Sequence, residues 1–193
     1  QFNNSEDLIN YPRNIDADLL QLEKVNCDIV YTPEINDLYR IKEQTKKFNF
    51  GTLEEIMEGK YRPGYFNGMA TIVEKLFHIV NPTKAFFGQK DLQQLQIVKR
   101  LVNQMEIDVE IVSMPTIREK SGLAKSSRNQ LLSQQEKQEA FLIYQCLSYC
   151  KNNKHLGIKA LKKYILNKLD CHSIIKLEYA EFIALNSMNT ITK

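Results

Sequence analysis

The chain has 193 residues, 43% of them hydrophobic and 25% charged, which suits a globular protein with one substantial core or two small ones. No apolar run approaches the roughly 18 residues that a membrane helix needs, and Gln1-Phe2-Asn3-Asn4 has neither the basic nor the apolar part of a secretory leader, so the expectation is a cytoplasmic protein with no membrane partner. The net charge of +3 hides an asymmetry: residues 1–114 carry 13 basic against 17 acidic side chains, and residues 115–193 carry 13 against 6.

That split predicts two units, 1–114 and 115–193, the second facing anions. Aromatic residues are not interleaved with its lysines as a nucleic-acid platform requires, so nucleic acid is not an expected partner. Four cysteines (27, 146, 150 and 171) without a Cys-x-x-Cys pair read as reduced thiols. The histidines at 78, 155 and 172 suggest no metal cluster.

In chain order, Asp16 to Lys24 reads as a short helix with acidic residues at its start. Cys27 to Tyr31, closed by Pro33, reads as a buried strand, and Lys46 to Phe50 as a weaker one stopped by Gly51. Thr52 with Glu55 fits a helix cap. Arg62-Pro63-Gly64 breaks the chain, and Phe66 to Val80 then places Val73, Leu76, Phe77 and Val80 on one helical face. Ala85 to Gly88 predicts a strand, Asp91 to Met105 a helix buried through Leu95, Val98, Val102 and Met105, and Val109 to Val112 a further strand. Such alternation predicts a parallel α/β sheet. Beyond Pro115 the pattern becomes helix, helix, strand. Ser133 and Glu136 form a capping box ahead of a helix to about Lys151 with Tyr144, Leu147 and Cys150 on one face; a second helix spans about Gly157 to Leu169; Lys176 to Ile183 alternates like a half-buried strand. This second unit is expected to be α+β.

Two stretches carry chemistry. In Phe86-Phe87-Gly88-Gln89-Lys90-Asp91-Leu92-Gln93-Gln94 a strand ends at a glycine beside a lysine and a helix start, where backbone N–H groups and a cation can hold an anion. The plain alternative is a strand–helix turn in which Asp91 caps the helix with Gln94 three residues on. In Lys125-Ser126-Ser127-Arg128 two hydroxyls, an ammonium and a guanidinium within four residues suit phosphate oxygens. The alternative there is a capped helix start on a solvated basic loop.

Together, Gly88-x-Lys90-Asp91-x-Gln93-Gln94 and Gly122-Leu123-Ala124-x-Ser126-Ser127-Arg128-Asn129 resemble the pantothenate synthetases (pantoate–β-alanine ligases). The resemblance extends to Glu6-Asp7-Leu8-x-x-Tyr11-Pro12-Arg13, to Glu58-Gly59-x-x-Arg62-Pro63-Gly64-x-Phe66-x-Gly68 and to Lys75-Leu76-Phe77-x-Ile79-Val80-x-Pro82. It implies a nucleotidyltransferase with a Rossmann-like parallel sheet, incomplete at its N-terminus, and a smaller α+β C-terminal lid domain, assembled as a homodimer. It implies ATP and Mg2+, with pantoate activated as pantoyl adenylate and then attacked by β-alanine. Residue by residue, it implies that Gln1 and Gln94 hold pantoate and that Gln1 also lies near β-alanine. Gly88, Gln89, Lys90 and Asp91 would line the ATP site, with Asp91 toward the metal. Ile117 would offer its backbone to adenine, and Lys125, Ser126, Ser127 and Arg128 would grip the phosphates. Lys90, Ser126, Ser127 and Arg128 are the expected catalytic groups.

Four departures from the family pattern stand out. No His-x-Gly-His motif is present, so this stretch alone is expected to lack adenylation activity. Tyr65 stands where histidine is usual, Gln89 and Ser121 replace acidic residues, and Lys125 replaces methionine or leucine. The competing readings are an enzyme of the same fold with another substrate, a non-catalytic subunit, and a basic nucleic-acid-binding module.

Overall fold

A computed structural model describes residues 5–39, 46–172, 174–185 and 187–191. The chain divides into two compact units, one made of residues 1–87 and 92–113 and the other of residues 88–91 and 114–193. The second unit resumes at Met114, and the short segment Gly88–Asp91 groups with it rather than with the first.

In the first unit α1 (Ser5–Ile9) and α2 (Ile15–Lys24) come first. The Asn14 carboxamide oxygen caps α2 by accepting the Ala17 N–H at 3.1 Å. Cys27 to Tyr31 is not the expected buried strand: it is irregular, and Ile29 is 85% exposed. An apolar run becomes a strand only when a neighbour takes up its backbone hydrogen bonds, and no described segment pairs with this one. The same holds for Lys46 to Phe50, although Phe50 itself is fully buried. Next come α3 (Ile35–Leu38), a 3-10 turn over Gly51–Glu54 and α4 (Met57–Tyr61). Thr52 and Glu55 do not form the expected cap. Glu54 instead accepts the Phe50 N–H at 3.2 Å and the Asn67 amide at 2.6 Å, tying the turn to the next helix.

That helix, α5 (Tyr65–Val80), follows Gly64, whose φ of +77° is a left-handed conformation that glycine adopts without strain. Its buried face is Phe66, Met69, Ala70, Thr71, Glu74 and Phe77, turned away from the expected one, with Val73 and Leu76 half-buried and Val80 exposed. Glu74 can enter the core because Lys46 Nζ lies 2.5 Å and His78 Nε2 3.5 Å from its carboxylate. After α5, β1 (Lys84–Gly88) leads through a 3-10 turn over Gln89–Asp91 into α6 (Leu92–Gln104), and β2 (Glu110–Met114) follows. The Glu110 N–H donates to the Thr83 carbonyl at the N-terminal ends of both strands, and α6 lies between them in sequence, so the pair is parallel. Leu95, Ile97, Val98, Leu101 and Val102 bury α6 against α5, whereas Met105 lies outside the helix and is exposed. Phe77 of α5 meets Phe87 of β1 edge-on at 6.4 Å. The fold is α/β with a parallel sheet.

In the second unit α7 (Gln134–Asn152) starts at the Ser133–Glu136 capping box, in which each side chain bonds the other residue's backbone N–H. Gly157 precedes α8 (Ile158–Leu169), which packs on α7. Their shared core holds Cys146, Cys150, Leu161, Ile165 and Leu169, with the Tyr149 and Tyr164 rings stacked at 3.7 Å. Burial pushes both thiols above the usual cysteine range, and all four cysteines are free. The alternating segment 176–183 lays Leu177, Ala180 and Phe182 on this core but forms no strand; its β character is one antiparallel bridge from Ile183 to Thr190. Lys159 and Lys163 of α8 face solvent, while Lys162 is half-buried.

Candidate functional site

Within the second unit the segment 117–125 folds back on itself. Lys125 N–H donates to the Ile117 carbonyl at 2.9 Å, Glu119 N–H to Leu123 at 2.8 Å, and Arg118 and Ala124 form an antiparallel bridge. Gly122 makes the turn possible twice over. Its φ is +96°, and a Cβ there would stand 2.1 Å from a Tyr144 ring carbon. Arg118 locks the loop onto α7, its guanidinium 4.6 Å from the Tyr144 ring centre and its Nη1 donating to the Gly122 carbonyl at 3.1 Å.

Ser126 follows at the start of a 3-10 turn over Ser127–Leu131, where its Oγ accepts the Arg128 N–H at 3.3 Å. Asn129 donates to the Ala124 carbonyl at 3.0 Å and fastens the two loops together. Ser126 Oγ accepts from the backbone as a cap does, and a hydroxyl in that position keeps its own proton to donate.

These loops, the Gln89–Lys90 turn and one face of α7 enclose a cleft of about 470 Å³. Gln89, Lys90 and Ser126 line it, so two stretches some 36 residues apart in sequence open on one space inside the second unit. Ile143, Tyr144 and Leu147 supply an apolar wall. The cleft offers an ammonium, an amide and a hydroxyl beside a surface on which a flat ring can lie, which suits a ligand with an anionic end and an apolar body.

The other anticipated residues fall differently. Gly88, Asp91, Lys125, Ser127 and Arg128 are exposed and are not among those lining this cleft, and Ile117 is 64% exposed. Asp91 does not cap α6. It lies within the 3-10 turn, and Gln94 accepts the Tyr65 hydroxyl at 3.0 Å instead of completing a box. Gln94 belongs to the first unit, and Gln1 lies outside the described residues. No group of three potential metal ligands exists among the described residues. One exposed aspartate fits Mg2+ held chiefly by phosphate oxygens and water, which is how this small cation usually meets protein. No helix among the described residues is long and apolar enough to cross a membrane.

The apolar wall was the part of the cleft that sequence reading missed. The sequence puts Tyr144, Leu147 and Cys150 on one face; in the structure Cys146 and Cys150 face the core while Ile143 and Leu147 remain about half exposed. Spacing could not separate them: Ile143, Cys146, Leu147 and Cys150 stand at i, i+3, i+4 and i+7, a single helical stripe, and packing buries only its cysteine side.

A family model described as pantoate-beta-alanine ligase matches residues 1–193. The pantothenate synthetase of Azobacteroides pseudotrichonymphae is 42% identical over 194 residues, and that of Christiangramia forsetii 43% over 197; each alignment takes in all of this chain and 69% of the relative. Among solved structures, pantothenate synthetase from Thermus thermophilus superposes with a TM-score of 0.93 at 32% identity, covering all of this chain and 70% of its own. The Francisella tularensis pantoate-beta-alanine ligase, crystallised with beta-gamma ATP and beta-alanine, gives 0.76 at 33% identity, over 87% of this chain and 63% of its own.

Proposed function

Because the chain belongs to the pantoate–β-alanine ligase family, we propose that it serves an ATP-dependent condensation through pantoyl adenylate. A carboxylate of pantoate attacks the α-phosphorus of ATP, the bond to the β-phosphate breaks, and pyrophosphate leaves. The β-alanine amine then attacks the acyl carbon, AMP departs with its oxygen, and the amine proton passes to solvent. The observation that carries this reading is the shared cleft of Lys90 and Ser126.

Lys90 is assigned the charge that builds on the departing pyrophosphate, where a fixed cation stabilises the transition state more than the ground state. Ser126 donates its hydroxyl proton to a phosphate oxygen, and Ser127, Arg128 and Lys125 supply further donors from the same loop. Gly88, Gln89 and Asp91 border the nucleotide, Asp91 toward Mg2+, and Ile117 offers its backbone to the base. Gln94 and Gln1 are assigned to pantoate. Residues 115–193 are assigned the part of a lid that keeps water from the anhydride. A cytoplasmic homodimer is the proposed assembly, on family likeness alone.

The test is pantoate-dependent ATP–pyrophosphate exchange by the full-length protein that contains this chain, with residues 1–193 alone as the expected inactive arm. Lys90→Ala should lower the exchange rate roughly 100-fold. Exchange supported only by some other acid would remove the ligase reading, and exchange indifferent to Lys90→Ala would remove the role given to this cleft.

A further inference from the structure

Two adjacent glutamines open α6, and the protein uses them in opposite ways. Gln93 is buried and wholly engaged: its Nε2 donates to the Leu53 carbonyl at 2.7 Å and to Ile56 at 2.9 Å, and its Oε1 accepts the Glu58 N–H at 3.0 Å. It staples α4 and the turn before it to α6. Gln94 is half-buried, and only its oxygen is engaged, by the Tyr65 hydroxyl; its Nε2 meets no partner among the described residues.

Tyr65 is itself held. It begins α5 directly after the Arg62-Pro63-Gly64 break, with the Arg62 guanidinium 3.8 Å from its ring centre and the Phe66 ring tilted against it at 5.1 Å. A carboxamide can present either end to a ligand, and its two ends have opposite hydrogen-bonding character. A clamped hydroxyl on the oxygen end removes that choice.

We infer that Tyr65 is a positioning residue that fixes the Gln94 carboxamide with its N–H group toward the ligand, so that Gln94 recognises a substrate oxygen and not a substrate donor. The matching ligand is a carboxylate or hydroxyl oxygen of a small hydroxy acid. This rests on the reading of Gln94 as a pantoate residue. It also gives Tyr65 a task that needs no positive charge, in the place where the family pattern has histidine.

The experiment is steady-state kinetics of the full-length protein with pantoate and ATP varied separately. Tyr65→Phe keeps the ring and its packing but loses the donor; the KM for pantoate should rise roughly 5-fold while the KM for ATP stays within about twofold. Tyr65→His should restore most of the loss, since an imidazole N–H can donate to the same oxygen. In a Gln94→Ala background, Tyr65→Phe should have no further effect. An unchanged pantoate KM in Tyr65→Phe, with a raised one in Gln94→Ala, overturns the positioning inference and leaves the pantoate reading standing. An effect of Tyr65→Phe that persists in full in the Gln94→Ala background overturns it too, because the hydroxyl then acts elsewhere. If Gln94→Ala itself leaves the pantoate KM unchanged, the assignment of Gln94 to pantoate falls first. Should Tyr65→Phe melt early, comparing Tyr65→His with the unaltered protein carries the decision: a pantoate KM raised 5-fold or more despite a normal melt would count against the inference.

Discussion

Gly122 shows how one residue without a side chain can decide the form of a cleft. Its left-handed φ and the Tyr144 ring 2.1 Å from where a Cβ would stand leave alanine no tolerable position. Gly122→Ala should therefore cost about 2 kcal/mol or more in denaturant unfolding and disturb the loop that Arg118 pins to Tyr144. A loss under about 0.5 kcal/mol would mean that the loop is free to move. Glu74 makes a second case. Its carboxylate is 1% exposed while Lys46 remains half exposed, so the two partners are not equivalent. Removing Lys46 leaves a buried charge whose remaining partner is His78, whereas Glu74→Gln frees an amine that water can reach. Lys46→Ala should cost about 3 kcal/mol, and Glu74→Gln clearly less; the reverse order in urea titrations would contradict this account of the pair.

Among the elements, α7 begins at a carboxyl whose titration the cap perturbs. The Ser133 backbone N–H and then its hydroxyl hold the Glu136 carboxyl below its ordinary value of 4.5. A folded value below the unfolded one adds stability that is complete above about 4.5 and disappears as pH falls through the folded value. Ser133→Ala removes only the hydroxyl, the smaller of the two causes, so it should move the Glu136 carbon resonance titration part of the way upward and weaken the α7 start most at neutral pH and least in acid. A Glu136 titration that Ser133→Ala does not move would show that the hydroxyl does not act on the carboxylate in solution. The long helices were readable for the same local reasons: the period of α6 and α8, the box at Ser133 and the break at Gly64 are all written within a few residues of the places where they act. Strands were not. Residues 27–31, 46–50 and 176–183 have the composition of strands, but a strand needs a partner to take up its hydrogen bonds, and composition names no partner.

At the scale of the whole molecule, two cores are separated: α5 and α6 bury Leu101 and Phe66, while α7 and α8 bury Leu161 and Ile165. Leu161→Ala should cost about 2–5 kcal/mol, and amide exchange should quicken across α7 and α8 while protection in α5 and α6 holds. Uniform loss of protection would show that the chain unfolds as one unit. Gly88–Asp91 belongs with the second unit, and there Lys90 and Ser126 line one cleft although the sequence sets them in different halves.

The motif residues, the helices with their caps and the charge imbalance between the halves are properties of the sequence alone, because each depends on neighbours within one or two turns. Family membership was legible there too, from the order of short motifs along nearly the whole chain. Which residues face each other was not. The wall formed by Ile143 and Leu147, the bond from Tyr65 to Gln94 and the burial of Glu74 all join positions from separate elements, or choose between two faces of one helix. Packing makes those choices by burying whichever arrangement leaves the fewest polar groups unpaired, and no local pattern records the outcome.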